Sequence, residues 1–221
     1  MKQSINKVIR RNEQVKPQSV SSNREKTPVT WGGLKRWMAT RQEEKYKDTS
    51  TAYAVQDYNA TIVDLTNISQ GDTDTTRDGD QVLPTRLELR GQLHGADATN
   101  TFRIIIFRWK SNSQSTLDPT YPDILQSVYA AGSLAPLAPY YHDGRSLFDV
   151  IYDQKFDLAG DVSNSNYVKG FQANIPLKNH PIQFTAANAG VNKLYRLYVS
   201  DSSASTHPAI EYIARVFFTD S

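Results

Sequence analysis

The chain has 221 residues, no cysteine and a formal net charge of +2 at pH 7. This length suits one large domain with a single core plus an additional segment. The lack of cysteine excludes a disulfide framework and a thiolate metal site. No stretch has the pattern of a signal peptide or the length of a membrane span, so we expect a soluble, unsecreted protein that is made in the cytosol and enters no membrane.

The small net charge conceals two oppositely charged parts. Residues 1–47 contain 12 Lys and Arg against 4 Asp and Glu, a net of +8, whereas residues 48–221 contain 13 against 19, a net of −6. This division predicts a basic arm that binds a polyanion and a mildly acidic body that does not. The alternative is a charged terminal tail that only adds solubility.

The first part of the arm, residues 1–30, is polar, basic and rich in serine. A segment of this composition is expected to be disordered in the free protein. Its basic run from Lys7 to Arg11 fits either a helical turn that forms on phosphates or a nuclear import signal. Composition alone does not separate these two roles.

The second part of the arm, residues 31–47, has a helical pattern. Its apolar residues recur at helix-like spacing: Trp31, Leu34, Trp37 and Met38. The oppositely charged Glu43 and Lys47 are four positions apart, which also favours a helix. We therefore predict a short amphipathic helix that enters the body.

The body, residues 48–221, reads as strands separated by turns. Residues 83–94 alternate between apolar and polar side chains, as a strand with one face on a core does. The strand at 102–109 is apolar without interruption from Ile104 to Phe107, so we expect its middle to be covered on both faces. With one helical insertion at 121–129, the predicted strands cover 53–65, 83–94, 102–109, 147–158, 167–177, 182–185, 194–199 and 210–218. This number and spacing predict an all-β sandwich of two sheets.

No catalytic constellation is apparent in the sequence. The histidines are scattered along the chain: His94, His142, His180 and His207. The HExxH, GxSxG, Walker and GxGxxG motifs are missing. We therefore expect that the protein is not an enzyme.

A group of aspartates precedes the strand at 83–94: Asp72, Asp74, Asp78 and Asp80. Oxygen-rich loops bind calcium, but an EF-hand requires glycine at its sixth position and glutamate at its twelfth. In a loop counted from Asp72, the sixth and twelfth positions hold Arg77 and Leu83. The loop therefore fails as an EF-hand, and a solvated turn is the simpler interpretation.

Residues 68–91 resemble a signature of capsid proteins from small icosahedral viruses. The signature is a Gln-Gly pair, an Arg-x-Gly-Asp turn that begins at Arg77, and an alternating strand that ends in Arg90 and Gly91. Further matching stretches follow in the same order: FRIIIFRW at 102–109, DIL at 123–125, YDQKFDL at 152–158, IPLK at 175–178 and FTDS at 218–221. The chain is similar in these stretches to single jelly-roll capsid proteins, both of satellite necrosis viruses of plants and of circovirus-like viruses with circular single-stranded DNA.

The resemblance implies an eight-stranded single jelly-roll sandwich, residues 48–221, with a basic, partly helical N-terminal arm, residues 1–47. It implies a capsid protein of which about 60 copies assemble into an icosahedral T=1 shell. The packaged partner would be a single-stranded viral genome, with DNA favoured over RNA. The protein would then be found in the virion and, during infection, in the cytoplasm and the nucleus; neither the host nor its receptor is indicated.

In this interpretation the arm contacts the phosphates of the genome. Sixty arms of +8 supply roughly 480 positive charges, enough for only part of a genome longer than about 500 nucleotides. Binding would be largely independent of nucleotide sequence and sensitive to salt. We expect Trp31 and Trp37 to pack against the shell, with stacking on bases as the alternative. The expected phosphate contacts are Lys2, Lys7, Arg10, Arg11, Lys16, Arg24, Lys26, Lys35 and Arg36.

The resemblance also implies a calcium ion between subunits, as in the satellite-type coat proteins. The matching positions in this chain are Glu44, Asp78, Gln81 and Asp220. Converging carboxylates repel one another unless a cation lies between them, which supports the idea. The serine of the satellite pattern is replaced by Asp78, however, and circovirus-like proteins need no such ion.

The alternative function is a carbohydrate-binding or ligand-binding jelly roll that forms a small oligomer, because one fold supports many functions. The arm separates the two hypotheses. A lectin has no use for 47 residues with a charge of +8, whereas the inner lining of a shell does.

Overall fold

The computed structural model describes residues 43–96, 99–110, 118–129, 132–159, 167–178, 180–185, 190–203 and 207–220. Residues 41–221 belong to one compact unit. The strands of the described part are β1 (Lys45–Val55), β2 (Thr61–Asp64), β3 (Gln81–His94), β4 (Thr99–Trp109), β5 (Phe148–Ala159), β6 (Val168–Pro176), β7 (Ile182–Phe184), β8 (Gly190–Val191), β9 (Leu194–Ser200) and β10 (Ala209–Asp220). One helical turn, α1 (Tyr121–Ile124), and 3-10 segments at Ser127–Tyr129, Gly132–Leu137 and Asp143–Ser146 lie between β4 and β5.

Eight of the strands form two antiparallel four-stranded layers. Their order is β1-β10-β3-β6 in one sheet and β2-β9-β4-β5 in the other. The short β7 pairs with the first residues of β3, and β8 extends β7, which makes the first sheet six-stranded. This strand order is that of a jelly roll, so the predicted all-β sandwich is confirmed.

The main core lies between the two sheets. On β3 the alternate residues Leu87, Leu89 and Leu93 are fully buried there, as the period of two predicted. They meet Ile104 and Ile106 of β4 from the opposite sheet. The alternation on β3 is therefore the direct result of one face on the core and one face outside.

A second core covers the outer face of the four-stranded sheet. Ile105 and Phe107 of β4 point into it, whereas their neighbours point into the main core. The cover is the connection between β4 and β5, which contributes Ile124, Leu125 and Ala135. The prediction that β4 is covered on both faces is confirmed, and the connection supplies the second layer.

The predicted helix over 31–47 is wrong at its end. Lys45 to Lys47 form the first residues of β1 and pair with Phe218 to Val216 of β10. Cross-strand pairing with β10 thus overrides the local helical spacing of Glu43 and Lys47. Residues 31–42 lie outside the described residues, so a helix over these residues and the division into arm and shell domain remain predictions.

The predicted strand over 53–65 is wrong as a single element, because a turn separates β1 from β2. The carboxylate of Asp57 accepts hydrogen bonds from the backbone N–H and the side-chain amide of Asn59, at 2.8 and 2.9 Å. The hydroxyl of Thr61 donates to the side-chain carbonyl of the buried Gln56 at 2.7 Å. Asx turns of this kind compete with strand pairing and reverse the chain.

The helical insertion predicted at 121–129 is only partly correct. α1 is a single turn in which Asp123 accepts hydrogen bonds from the backbone N–H and hydroxyl of Thr120, at 2.7 and 2.6 Å. Leu125 is extended and ends the helix. Within the described ranges, no helix has the length and apolar character needed to span a membrane.

Candidate functional site

The nine basic residues predicted to bind phosphates all lie in residues 1–42, outside the described residues, and their role remains a prediction. The corrected start of the sheet does not alter the division of charge. Residues 1–42 contain 10 Lys and Arg against 2 Asp and Glu, a net of +8, and residues 43–221 contain 15 against 21, a net of −6. The charged arm therefore ends immediately before the first strand.

Lys45, the first residue of β1, is the centre of an ion-pair cluster that we call the Lys45 site, with Asp78 and Asp220. Its Nζ atom lies 2.7 Å from Oδ1 of Asp78 and 2.9 Å from Oδ2 of Asp220. The lysine side chain is only 6% exposed. Burial by itself lowers the pKa of Lys45, but hydrogen bonds and charge attraction from the two aspartates outweigh it and raise the pKa above its ordinary value. The ammonium group is therefore a permanent cation at neutral pH.

The Lys45 site joins three distant parts of the chain. Lys45 starts β1, Asp78 lies in the loop before β3, and Asp220 ends β10. The backbone N–H of Asp78 also points to Oδ1 of Asp220 at 3.4 Å. The site thus fixes the start of β1 against the last residues of the final strand.

The structure brings together two of the four residues predicted to bind calcium, Asp78 and Asp220, and places Lys45 between them. Glu44 instead pairs with Arg86 of β3, at 3.3 Å between Oε2 and Nη2. Gln81 lies opposite Gln183 in the pairing of β3 with β7. In the described part of the chain, no group of three or more His, Asp or Glu residues is arranged to hold a metal ion. A calcium ion bound between two copies of the chain remains a prediction.

Arg77 explains why the Arg-x-Gly-Asp turn has its sequence. The arginine is 2% exposed and donates from Nε to the carbonyl of Ile68 at 3.3 Å and from Nη1 to the carbonyl of Gly79. It also pairs with Asp80 at 3.2 Å, and its guanidinium lies 4.3 Å above the ring of Phe184. The loop at 70–80 is therefore built around a buried cation and is not a simple solvated turn. The local motif was the signal for this role, which sequence reasoning did not assign to Arg77.

The outer face of the six-stranded sheet is a ladder of paired charges. Arg215 of β10 forms two hydrogen bonds of 2.7 Å with Asp48 of β1. Next to them, Glu88 of β3 accepts from Arg90 at 3.2 Å and lies 3.7 Å from Arg86. Opposite charges directly across or along neighbouring strands neutralise this face from within the chain.

A shallow groove of about 800 Å³ crosses the same outer face. Gly91 and Gly170 form its floor, and Ser50, Gln172 and Ile213 line it. A Cβ on Gly91 would lie 2.3 Å from the backbone oxygen of Glu211, whereas a Cβ on Gly170 would meet nothing within 4 Å. The groove thus has open space above β6 and a tightly packed base at β3.

No family model matches the chain, and no curated protein matches it. Among solved structures, a chain from Desmodium yellow mottle tymovirus is similar to it, with 12% sequence identity and a TM-score of 0.35. The match covers 100% of this chain and 96% of the other. A likeness with so low a TM-score carries no weight in the fold assignment, so the jelly-roll assignment rests on the strand order. The resemblance to satellite necrosis virus and circovirus-like capsid proteins remains a prediction.

Proposed function

We propose that this chain is the subunit of a small icosahedral viral capsid and has a structural role instead of a catalytic one. The observation that carries the proposal is the junction of two unlike parts. Residues 43–221, which have a net charge of −6 and contain the jelly-roll sandwich, follow directly after 42 residues with a net charge of +8. A closed shell needs a compact repeating body and an inward segment that offsets the charge of packaged phosphates.

The ion pairs of the body support the assignment of shell formation to the body and of phosphate binding to the arm. The cations on the outer face of the six-stranded sheet, Arg86, Arg90 and Arg215, all have carboxylate partners. They are therefore poor competitors for phosphate, and the unbalanced positive charge is concentrated in residues 1–42. Binding of a genome by this arm would be insensitive to nucleotide sequence and would weaken steeply with salt.

The proposed assembly contains about 60 copies around a single-stranded genome. The preference for DNA over RNA rests on the circovirus-like stretches alone. Arms with a total charge of roughly 480 leave part of any genome longer than about 500 nucleotides to be neutralised by small cations. The protein would accordingly reside in the virion, with the cytoplasm and nucleus as its sites in the infected cell.

The experiment is negative-stain microscopy of the purified protein together with its absorbance ratio at 260 and 280 nm, before and after deletion of residues 1–42. We expect uniform closed particles whose nucleic acid disappears with the arm. Digestion of the extracted nucleic acid with DNase or RNase then identifies the genome type. A monomer or trimer without nucleic acid at high protein concentration would contradict the proposal.

A second function has one observation in its favour. The groove of about 800 Å³ on the outer face offers hydroxyl and amide groups from Ser50, Gln92 and Gln172, which suit a carbohydrate or another polar ligand. A ligand-binding jelly roll would form a small oligomer. It would bind glycans in the groove, and substitution of Gln172 would abolish this binding. The same particle measurement separates the two functions.

A further inference from the structure

A cleft opens between the two sheets at the edge formed by β5 and β6. It has a volume of about 670 Å³. Its floor is apolar and includes Phe148, Ile175 and Leu194, all buried. Four residues with basic side chains surround this floor: Arg108, Arg145, Lys178 and His180. We call it the basic cleft.

The basic cleft carries positive charge that has no carboxylate partner among the described residues. Among the described residues that line it, the one carboxylate is that of Asp149, which already pairs with Arg108 and with Lys110, the latter at 2.9 Å. Arg145 and Lys178 are exposed, and among the described residues neither forms an ion pair. The guanidinium of Arg145 lies over the rings of Tyr140 and Phe148, 4.8 and 5.7 Å from their centres. Two cations at the mouth of an apolar cleft, in a body of net charge −6, favour an acidic occupant.

The same chain presents an acidic loop of matching character. Asp72 and Asp74 are exposed, and within the described part neither has an ion-pair partner, unlike Asp78 and Asp80. The loop is rigid because its backbone is closed by hydrogen bonds from Gly71 N to Arg77 O at 2.9 Å and from Thr76 N to Thr73 O at 3.0 Å. A rigid acidic turn can insert into a cleft without a large loss of conformational entropy.

The acidic loop and the basic cleft lie at one end of the sandwich but at opposite lateral edges. The loop leads into the start of β3, and the cleft is lined by Pro84 near that start. Laterally, the backbone N–H of Tyr46 on the edge strand β1 donates to the carbonyl of Asp74 at 2.9 Å. The cleft lies at the other edge, where β5 and β6 end the two sheets. One copy therefore cannot satisfy its own cleft with its own loop.

We propose that the acidic loop of one copy, through Asp72 and Asp74, docks in the basic cleft of the next copy against Arg145 and Lys178. Two different surfaces at opposite edges make a heterologous contact, which closes into a ring when the rotation between copies is a simple fraction of a turn. This contact rests on the proposed capsid function and supplies one of its intersubunit surfaces. It would align copies by charge attraction and exclude incorrect orientations that place like charges together.

The test uses charge reversal in the full chain. The variants are D72K/D74K, R145E/K178E and the combination of all four changes. We expect each double variant to raise the protein concentration needed for assembly at least tenfold, and the combined variant to return to within about threefold of the original protein, since opposite charges then face each other again. Light scattering measures assembly, and circular dichroism checks that the variants fold.

Matched controls alter the net charge by the same amount elsewhere. D157K/E211K and R90E/K155E change exposed residues far from the loop and the cleft mouth, and we expect assembly close to that of the original protein. Assembly of the double variants at the original concentration, or failure of the combined variant to recover, would overturn the proposed contact.

A separate measurement remains informative even if the chain forms no closed shell. An equimolar mixture of D72K/D74K and R145E/K178E places lysine loops opposite glutamate clefts and aspartate loops opposite basic clefts. Sedimentation velocity should reveal complexes in this mixture that neither variant forms alone, whereas each control variant keeps the contact and should associate by itself as the original protein does. Absence of such complexes refutes the contact, whereas the lack of particles from the unaltered chain refutes the capsid function.

Discussion

The ammonium group of Lys45 lies 2.7 Å from a carboxylate oxygen of Asp78, a residue 33 positions later in the chain. The same group lies 2.9 Å from Asp220. A cation of the protein therefore occupies the space between two of the carboxylates for which the capsid resemblance implies calcium. Within one subunit, Lys45 supplies the positive charge that a divalent ion would supply between these carboxylates, which leads to the first prediction.

Replacement of Lys45 by methionine should destabilise the subunit by about 1–3 kcal/mol, because two carboxylates then face each other without a cation. Millimolar calcium should recover part of the loss in K45M but leave the unaltered protein unchanged. Urea unfolding with calcium or with a chelator measures both effects. K47M is the control, since Lys47 has no ion pair in the described structure. A chelator-sensitive stability of the unaltered subunit would contradict the prediction.

Gly91 and Gly170 should respond in opposite ways to alanine. A Cβ at position 91 would lie 2.3 Å from the backbone oxygen of Glu211 and 2.6 Å from the ring of Phe171, so strand β10 must shift. We expect G91A to lose about 3 kcal/mol or to be insoluble. G170A meets open space and should be neutral or gain up to about 1 kcal/mol. Thermal unfolding of both variants checks this contrast, and similar melting temperatures would refute it.

Arg196 is a buried cation in the main core, and its replacement by methionine should be tolerated. It is 0% exposed, and its guanidinium lies 3.3 Å from the ring centre of Tyr212 and 4.4 Å from that of Tyr198. In the described structure none of its three guanidinium nitrogens has a hydrogen-bond partner. Loss of the ring contacts in R196M costs about 2 kcal/mol, which relief of the desolvated charge should offset. R196A leaves a cavity and should lose about 2–5 kcal/mol.

The pH dependence provides an independent check on Arg196. Burial lowers its pKa to about 10, from 12.5 for an ordinary arginine. The unfolded chain binds more protons than the folded chain between these values, so this residue adds stability as the pH rises through 10. The stability of R196M relative to the unaltered protein should therefore decline above pH 10. A loss well above 2 kcal/mol in R196M at pH 7 would mean that the arginine is a net stabiliser.

Asp153 should make the subunit sensitive to acid. It accepts two hydrogen bonds from Arg103, at 2.9 and 2.7 Å, and one from Tyr140. Burial by itself raises the pKa of Asp153, but Arg103 and Tyr140 hold the pKa below the ordinary 3.8. Such a carboxylate stabilises the fold at pH values above 3.8 and loses this contribution as the pH falls through its folded value.

The variant D153N should accordingly melt at a lower temperature than the unaltered protein at pH 7, and the difference should shrink as the pH falls below 3.8. Calorimetry across this range measures it. D157N is the matched control, because Asp157 lies on the same strand with a side chain 68% exposed. A difference that stays constant with pH would show that the charge of Asp153 has no part in the effect.

The parts of the fold that could be predicted from the sequence are those with local signals. The alternation of residues 83–94 reflects one buried face, and the unbroken apolar run at Ile104–Phe107 reflects two buried faces. Both patterns arise because side chains in a strand point alternately to opposite sides. The turn after Val55 was missed although Asp57 and Asn59 carry a turn signal, because the strand propensity of the flanking residues obscured it.

The features that could not be predicted depend on contacts between distant residues. The spacing of the residues around Lys45 predicted a helix. The ion-pair partners of Lys45 are Asp78 and Asp220, and a local sequence pattern does not reveal partners so distant in the chain. Strand β9 is buried along its whole length, so no alternation marked Arg196 as a core residue. The basic cleft likewise combines the ends of several strands that are separated in the chain.

The strand order has a consequence for biosynthesis. β10 lies between β1 and β3, with Lys45 opposite Phe218 on one side and Leu89 opposite Ala214 on the other. Until its twelve residues have left the ribosome, the six-stranded sheet lacks its interior strand, and its long-range pairings cannot form. The sandwich therefore cannot be completed before the whole of β10 has been synthesised and has left the ribosome.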